Sequence, residues 1–230
     1  MPPAPPFAQQ LALIAGHGAH LAQVVDLDDP EGRSRVKVRL AALNGSPQQD
    51  TEQWARVCTL FAGADRGAFW MPDVGDEVLV VFVQGDARFP IVLGGLWNNA
   101  SPAPETLDAQ NNLKVVRSRN GNRIVLDDTS GQEKVIIETP GGNRITLADA
   151  SGDLINIEDS AGNSATMSAS GITVTAAAKV TVQASQVEVQ AGMVTVDAAM
   201  SRFSGVVQCD TLITNSVISA SYTPGAGNIW

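Results

Sequence analysis

The sequence predicts an all-β protein in two parts, a small N-terminal barrel and a long, thin β-shaft built by three copies of the chain. Three observations predict this. Apolar residues make up 44% of the 230 residues but aromatics only 5%, so the side chains available for a core are thin. From residue 120 onward, apolar and polar residues alternate in short runs bounded by Gly, Asp and Ser, as strands and their turns do. Within that region Gly121-Asn-Arg-Ile-Val-Leu-Asp-Asp-Thr-Ser-Gly131 recurs as Gly142-Asn-Arg-Ile-Thr-Leu-Ala-Asp-Ala-Ser-Gly152, the mark of a repeated supersecondary unit.

Residues 1–22 open with Met1-Pro-Pro-Ala-Pro-Pro and then place Phe7, Leu11, Ile14 and Leu21 at a spacing that suits a short helix or a docking arm. Gly16 and Gly18 keep any helix there short. Residues 23–98 read as a compact barrel. Residues 22–26 form a first strand, and residues 26–32 a turn. Residues 34–40 alternate basic and apolar side chains, a half-buried strand, and residues 54–60 alternate again. After Met71-Pro-Asp-Val-Gly-Asp-Glu, the run Val78-Leu-Val-Val-Phe-Val reads as a strand buried on both faces. Residues 84–88 make a hairpin connection, and residues 89–97 close the domain. Five short strands with glycine at the corners suit a closed barrel of the OB type.

Residues 99–119 are polar, carry two prolines and read as a linker. Residues 120–219 form the shaft. After the two long repeats the beat shortens: Ile172/Val174, Val180/Val182, Val187/Val189 and Val194/Val196 are pairs that advance by seven or eight residues. A short strand with two inward apolar side chains cannot bury them alone. Three chains, each supplying one face of a prism and passing from face to face, bury them and leave no open edge. The inward positions expected are Ile124, Leu126, Val135, Ile137, Ile145, Leu147, Ile155, Ile157, Ile172, Val174, Val180, Val182, Val187, Val189, Val194 and Val196. Outward Thr, Ser and Gln, with a net charge of −5 over residues 145–230, keep a narrow shaft soluble.

Charge and motif content narrow the chemistry. The net charge of −9 repels phosphate and argues against nucleic acid. Cys58 and Cys209 are far apart and form no metal-binding pair; two buried thiols are expected. The N-terminus lacks the basic and apolar regions of a signal peptide, so synthesis in the cytoplasm without general secretion is expected. His17 and His20 are too few for a metal site, and Pro30 sits inside the loop Asp26-Leu-Asp-Asp-Pro-Glu-Gly32 where a calcium ligand belongs. Asp127-Asp128 and Glu158-Asp159 are carboxylate pairs, but they lie at strand–turn corners and suit turn capping. No nucleophile elbow or phosphate-binding lysine motif occurs. No catalytic, cofactor-binding or metal-binding residue is expected.

At this point the residues resemble a known family. Trp54-Ala-Arg-Val, Ala62-Gly-Ala-Asp-Arg-Gly, Met71-Pro-Asp-Val-Gly-Asp-Glu-Val-Leu-Val, Gly85-Asp and Pro90-Ile-Val-Leu-Gly-Gly-Leu-Trp-Asn98 resemble the OB domain of VgrG and of phage baseplate assembly protein V. The Gly-Asn-Arg-Ile-x-Leu-x-Asp repeats resemble the start of the shaft in the same proteins. The resemblance implies an OB-fold collar followed by an intertwined triple-stranded β-helix in a homotrimer, the central spike of a contractile injection machine. Such a spike is structural and not an enzyme. It is assembled into a baseplate and then released or injected, touching the target membrane only transiently. The implied partners are a trimeric hub protein at the N-terminal end and a PAAR-type tip protein at the C-terminal end, with inner-tube or cargo proteins besides. Only about 22 residues precede the barrel, which resembles a short form whose hub is a separate protein. The segment 220–230 is read as a blunt tip-binding end, with Tyr222, Asn228, Ile229 and Trp230 as the contact residues.

Three rival classes are weaker. A trimeric tailspike enzyme acting on surface polysaccharide needs clustered carboxylates with aromatic platforms. A nucleic-acid-binding OB fold needs a basic groove, for which only Arg33, Arg35, Lys37 and Arg39 offer themselves. A trimeric adhesin needs an export signal.

Overall fold

The structure is a computed structural model that describes residues 18–41, 52–150 and 152–221. The described residues form two compact units, one up to residue 179 and one from residue 180 on. Of the expected arm, residues 1–17 lie outside the described residues, and His20 and Leu21 already belong to the first strand.

The first unit begins with a closed barrel. Its strands are β1 (His20–Asp26), β2 (Val36–Leu40), β3 (Glu52–Val57), β6 (Glu77–Phe82) and β7 (Pro90–Leu96). They close in the order β1-β2-β3-β7-β6. All neighbours are antiparallel except β3 and β7, which run parallel, the five-stranded topology of an OB fold. The alternation seen in the sequence fills it. Ala22, Val24, Val36, Val38, Leu40, Ala55, Val78, Val80, Phe82 and Val92 point inward and are buried. The run 78–83 is buried on one face only: Val78, Val80 and Phe82 enter the core, while Leu79 and Val81 are half-buried outside and Val83 is exposed. A barrel made by one chain has a single interior, so two-sided burial is not available to it.

The β3–β6 connection holds a ribbon that the sequence reading did not anticipate, β4 (Ala62–Gly63) paired with β5 (Arg66–Gly67). The β6–β7 hairpin turns through a 3-10 turn at Val83–Gly85. There the Arg88 guanidinium, 2.6 Å from the Asp86 carboxylate, lowers the Asp86 pKa to about 2.

A seven-stranded antiparallel meander follows in the same unit: β8 (Leu113–Arg117), β9 (Arg123–Asp127), β10 (Lys134–Glu138), β11 (Arg144–Ala148), β12 (Asp153–Glu158), β13 (Ser164–Ser168) and β14 (Gly171–Thr175). Strand β8 lies inside the stretch expected to be linker, so the sheet begins at Leu113 and not at 120. One end of the meander repeats a single turn. Ser118, Thr139 and Asp159 each accept the N–H of a glycine three residues on (Gly121, Gly142, Gly162) and donate to the carbonyl of the asparagine after it. Those glycines have φ of +90, +88 and +88°, the left-handed position of a hairpin with a G1 bulge, where glycine is free of Cβ strain. The sequence repeat is therefore threefold, the third copy being Asp159-Ser-Ala-Gly-Asn163.

Across β8–β14 each strand pairs with its sequence neighbour. The ladder bonds of this stretch are closed within one chain, not between chains as the sequence reading extended them from residue 120. The connections are two to six residues long, enough to fold each strand back on the last. The second unit, considered by itself, contains no strand among its described residues, and those residues are all exposed. A seven-residue beat is one strand plus one turn, which leaves too little chain to fold back into a hairpin. Cys58 and Cys209 are both exposed, contrary to the buried thiols expected. Cys58 follows the end of β3, and Cys209 lies in the strandless unit.

Candidate functional site

The meander has one face whose apolar side chains stay largely exposed among the described residues. The register places Ile124 opposite Ile137, Ile137 opposite Ile145, and Ile145 opposite Ile157. Beside this column, Leu126 faces Val135, Val135 faces Leu147, and Leu147 faces Ile155. The columns continue through Ala165 and Met167 to Val174 and Ile172. Side chains alternate faces along a strand, so these residues share one side of the sheet. Ten of the expected inward residues thus fall together on one surface. Ile124, Leu126, Ile137, Ile145, Leu147 and Ile157 are 37–46% exposed, and Ile172 and Val174 on the edge strand are 69% and 63% exposed. The sequence reading missed Val116, which pairs with Ile124, and Ala165 with Met167. Their spacing of ten residues from Ile155 and Ile157 was the available signal.

The remaining expected residues lie outside this sheet. Val180, Val182, Val187, Val189, Val194 and Val196 belong to the second unit and are 59–72% exposed. Tyr222, Asn228, Ile229 and Trp230 lie outside the described residues.

The opposite face is polar and internally paired. Its middle row runs Val115, Val125, Ile136, Thr146, Asn156, Thr166, Thr173, of which Val125 is buried. Along one margin Glu138 takes Arg123 at 2.9 Å and Arg144 at 2.8 Å, and along the other Lys134 meets Asp127 at 3.2 Å. Arg123 also bonds Glu105 at 2.5 Å, tying the stretch before β8 onto this face. The sheet is therefore amphipathic: one side carries paired charges, and the other exposes rows of Ile, Leu and Val.

The groups that hinted at chemistry are engaged in folding. Asp127 accepts the Thr129 N–H and hydroxyl, and Asp159 accepts the N–H groups of Ala161 and Asn163. Both carboxyls are held below the usual carboxylate range, first by side-chain hydrogen bonds from Thr129 and Asn163 respectively. In the 26–32 loop, Asp29 accepts N–H bonds from Glu31, Arg33 and Arg35 and meets the Arg35 guanidinium at 2.7 Å. The Arg35 hydrogen bond is the main reason its carboxyl sits well below the usual range. Arg35, just before β2, is paired with Asp29, and Lys37 and Arg39 on β2 with Glu52, so the basic stretch has acidic partners at hand. His20 lies edge-on to Phe82 at 5.5 Å between ring centroids; His17 is outside the described residues. Among the described residues no three His, Cys, Asp or Glu side chains are grouped to hold a metal ion, and no helix is long and apolar enough to cross a membrane.

Comparison with known proteins matches both folded parts. Residues 20–97, the barrel, match the type VI secretion system/phage-baseplate injector OB domain. Residues 134–198 match the phage baseplate V C-terminal trimerisation domain. Among curated proteins, the type VI secretion system spike protein VgrG4b of Pseudomonas aeruginosa is 33% identical over 46% of this chain and 14% of its own length. The actin cross-linking toxin VgrG1 of Vibrio cholerae is 28% identical over 56% of this chain and 14% of its own length. The spike protein VgrG1a of Pseudomonas aeruginosa is 32% identical over 38% of this chain and 15% of its own length. The chain thus spans about a seventh of the length of these relatives. An OB domain matched over the closed barrel, followed by a trimerisation domain matched from β10 onward, shows that this chain belongs to the phage baseplate V family, and the curated relatives it resembles are VgrG proteins.

Proposed function

We propose that this chain is the structural, non-enzymatic central spike of a contractile injection machine. Three copies bury the apolar face of the meander against one another. The OB barrels form a collar seated on a trimeric hub, and the C-terminal end carries a PAAR-type tip. On sheath contraction the assembly is driven through the target envelope. One observation carries this reading: two columns of Ile, Leu and Val run across a seven-stranded sheet and stay 37–46% exposed at Ile124, Leu126, Ile137, Ile145, Leu147 and Ile157. In a prism of three such sheets that face becomes the axis, and the paired charges of the other face meet solvent. Bending the prism breaks many ladder bonds together, which is what a piercing shaft requires.

The assignment of Ile124 to Val196 as trimer core and of Tyr222, Asn228, Ile229 and Trp230 as tip contacts belongs to this proposal. Deleting the gene from a cell that makes the machine tests the function. Assembled baseplates and delivery into target cells are both expected to be lost and to return on complementation. Delivery that persists without the chain refutes it.

A further inference from the structure

The β3–β6 connection and the loop before β2 border an open groove of about 710 Å³ on the outside of the barrel. Its lining holds three arginines, Arg33, Arg56 and Arg66, against one carboxylate, Asp65. All three arginines are exposed. Phe61, Phe69 and Trp70 line the same groove and are 60%, 77% and 66% exposed. A chain with a net charge of −9 thus gathers positive charge and aromatic surface in one place, and neither serves the barrel core.

The fold places each of these groups. Ala55 is buried in the core, so Arg56, next along β3, points out of the barrel. Arg66 runs back across the β4–β5 ribbon, where a Cβ on Gly63 would lie 2.6 Å from its Nε. The ribbon itself is held. Ala68 donates its N–H to the Phe61 carbonyl at 3.1 Å, and the Thr59 hydroxyl donates to the Ala68 carbonyl. Gly67 passes so near the Phe61 carbonyl that a Cβ would lie 2.9 Å from it. On the opposite rim Asp29 accepts the Arg33 N–H at 2.9 Å and pins the backbone that carries Arg33. Arg33 meets Glu31 at 2.8 Å in an exposed pair, which is a weak one. Arg56 and Arg66 take part in no ion pair among the described residues.

We propose that this groove binds a short acidic segment of a partner protein, one in which carboxylates flank an apolar or aromatic residue. Arginine forks take carboxylates through paired, charge-assisted hydrogen bonds, and the three aromatic rings cover the apolar side chain between them. Complementary charge selects this occupant. The parts of this chain outside the described residues do not supply it: residues 1–17 and 222–230 contain no Asp or Glu, and residues 42–51 contain only Asp50. A phosphate backbone is disfavoured, because the groove has the size of a small-ligand pocket and the acidic chain around it repels a longer polyanion. The groove is formed within one chain, so the proposal does not rest on the trimeric reading.

The full chain, its mass checked by sedimentation, is tested against an array of short peptides in which two Asp or Glu flank one Leu, Phe or Trp at each short spacing. Every peptide is paired with its Asn or Gln counterpart. At low salt at least one acidic peptide is expected to bind at least about tenfold more tightly than its counterpart, read by fluorescence anisotropy. Arg56→Ala and Arg66→Ala are each expected to weaken that peptide about fivefold. Arg88→Ala, which removes an exposed arginine that does not line the groove, is expected to leave it unchanged. The proposal is overturned if no acidic peptide is preferred over its counterpart, or if Arg88→Ala weakens binding as much as Arg56→Ala. Displacement of the peptide by single-stranded oligothymidylate at equal affinity overturns it in favour of nucleic acid. A monomeric mass with peptide binding intact supports the groove and overturns the trimeric reading alone.

Discussion

Ile137 sits in the middle of the longer apolar column, opposite Ile124 on one side and Ile145 on the other, and is 44% exposed in the single chain. Fully burying an isoleucine stabilises by about 1.5–3 kcal/mol. The chain itself already covers more than half of this side chain, so a neighbour that covers the rest adds about 1 kcal/mol per site. The site occurs three times in a trimer, so Ile137→Ala is expected to weaken assembly by about 3 kcal/mol, roughly a hundredfold in the association constant. Dissociation into three monomers spreads this over two powers of concentration, so the midpoint of a dilution series moves about tenfold. Sedimentation velocity across that series, in enough guanidinium to bring the midpoint into range, reads the shift. Thr146→Ala is the control. Thr146 pairs with Ile136 and Asn156 on the opposite face, and its replacement is expected to cost less than about 0.5 kcal/mol of assembly. Equal shifts for the two variants, or none for Ile137→Ala, refute the assignment of this face to the trimer axis.

Three further outcomes follow from the geometry. Asp29, Asp86, Asp127 and Asp159 all have folded pKa values below the usual 3.8; the stability they contribute is present above that value and is lost as pH falls through the folded values, for Asp86 near 2. Thermal melts between pH 6 and pH 2 are therefore expected to decline chiefly below about pH 4, and Asp29→Asn to flatten that decline; a steeper decline in the variant contradicts the Asp29–Arg35 assignment. Gly67→Ala is expected to destabilise the β4–β5 ribbon by about 1–3 kcal/mol, seen as faster hydrogen exchange at the Ala68 amide with the barrel core unchanged. Glu138→Gln, which removes the charge shared by Arg123 and Arg144, is expected to cost no more than about 1 kcal/mol at low salt, less at high salt, and to leave the trimer's mass unaltered.

The barrel was legible because one chain completes it: Val36, Val38 and Leu40 alternate with Lys37 and Arg39, and alternation across a closed barrel translates directly into inside and outside. The apolar face of the sheet was legible for the same reason, since Ile124/Leu126, Val135/Ile137, Ile145/Leu147 and Ile155/Ile157 each keep a period of two along their strand. Periodicity says that a side chain is buried but not by which chain. That is why the pairing partners along 120–175 were assigned to other copies, and why the exposure of Cys58 was missed. The β4–β5 ribbon has strands of two residues each, too short for any alternation, and β8 begins inside a polar, proline-containing stretch. The patch around Trp70 was visible only as a local concentration of aromatics in an aromatic-poor chain.

The central claim is that three chains complete one fold. Sedimentation equilibrium on the purified full chain tests it most directly. A mass three times the 24.0 kDa of the chain, unchanged over a wide dilution range, is the predicted result. A single species of 24.0 kDa that keeps its β-signal in circular dichroism contradicts it, because it leaves two columns of Ile, Leu and Val facing water.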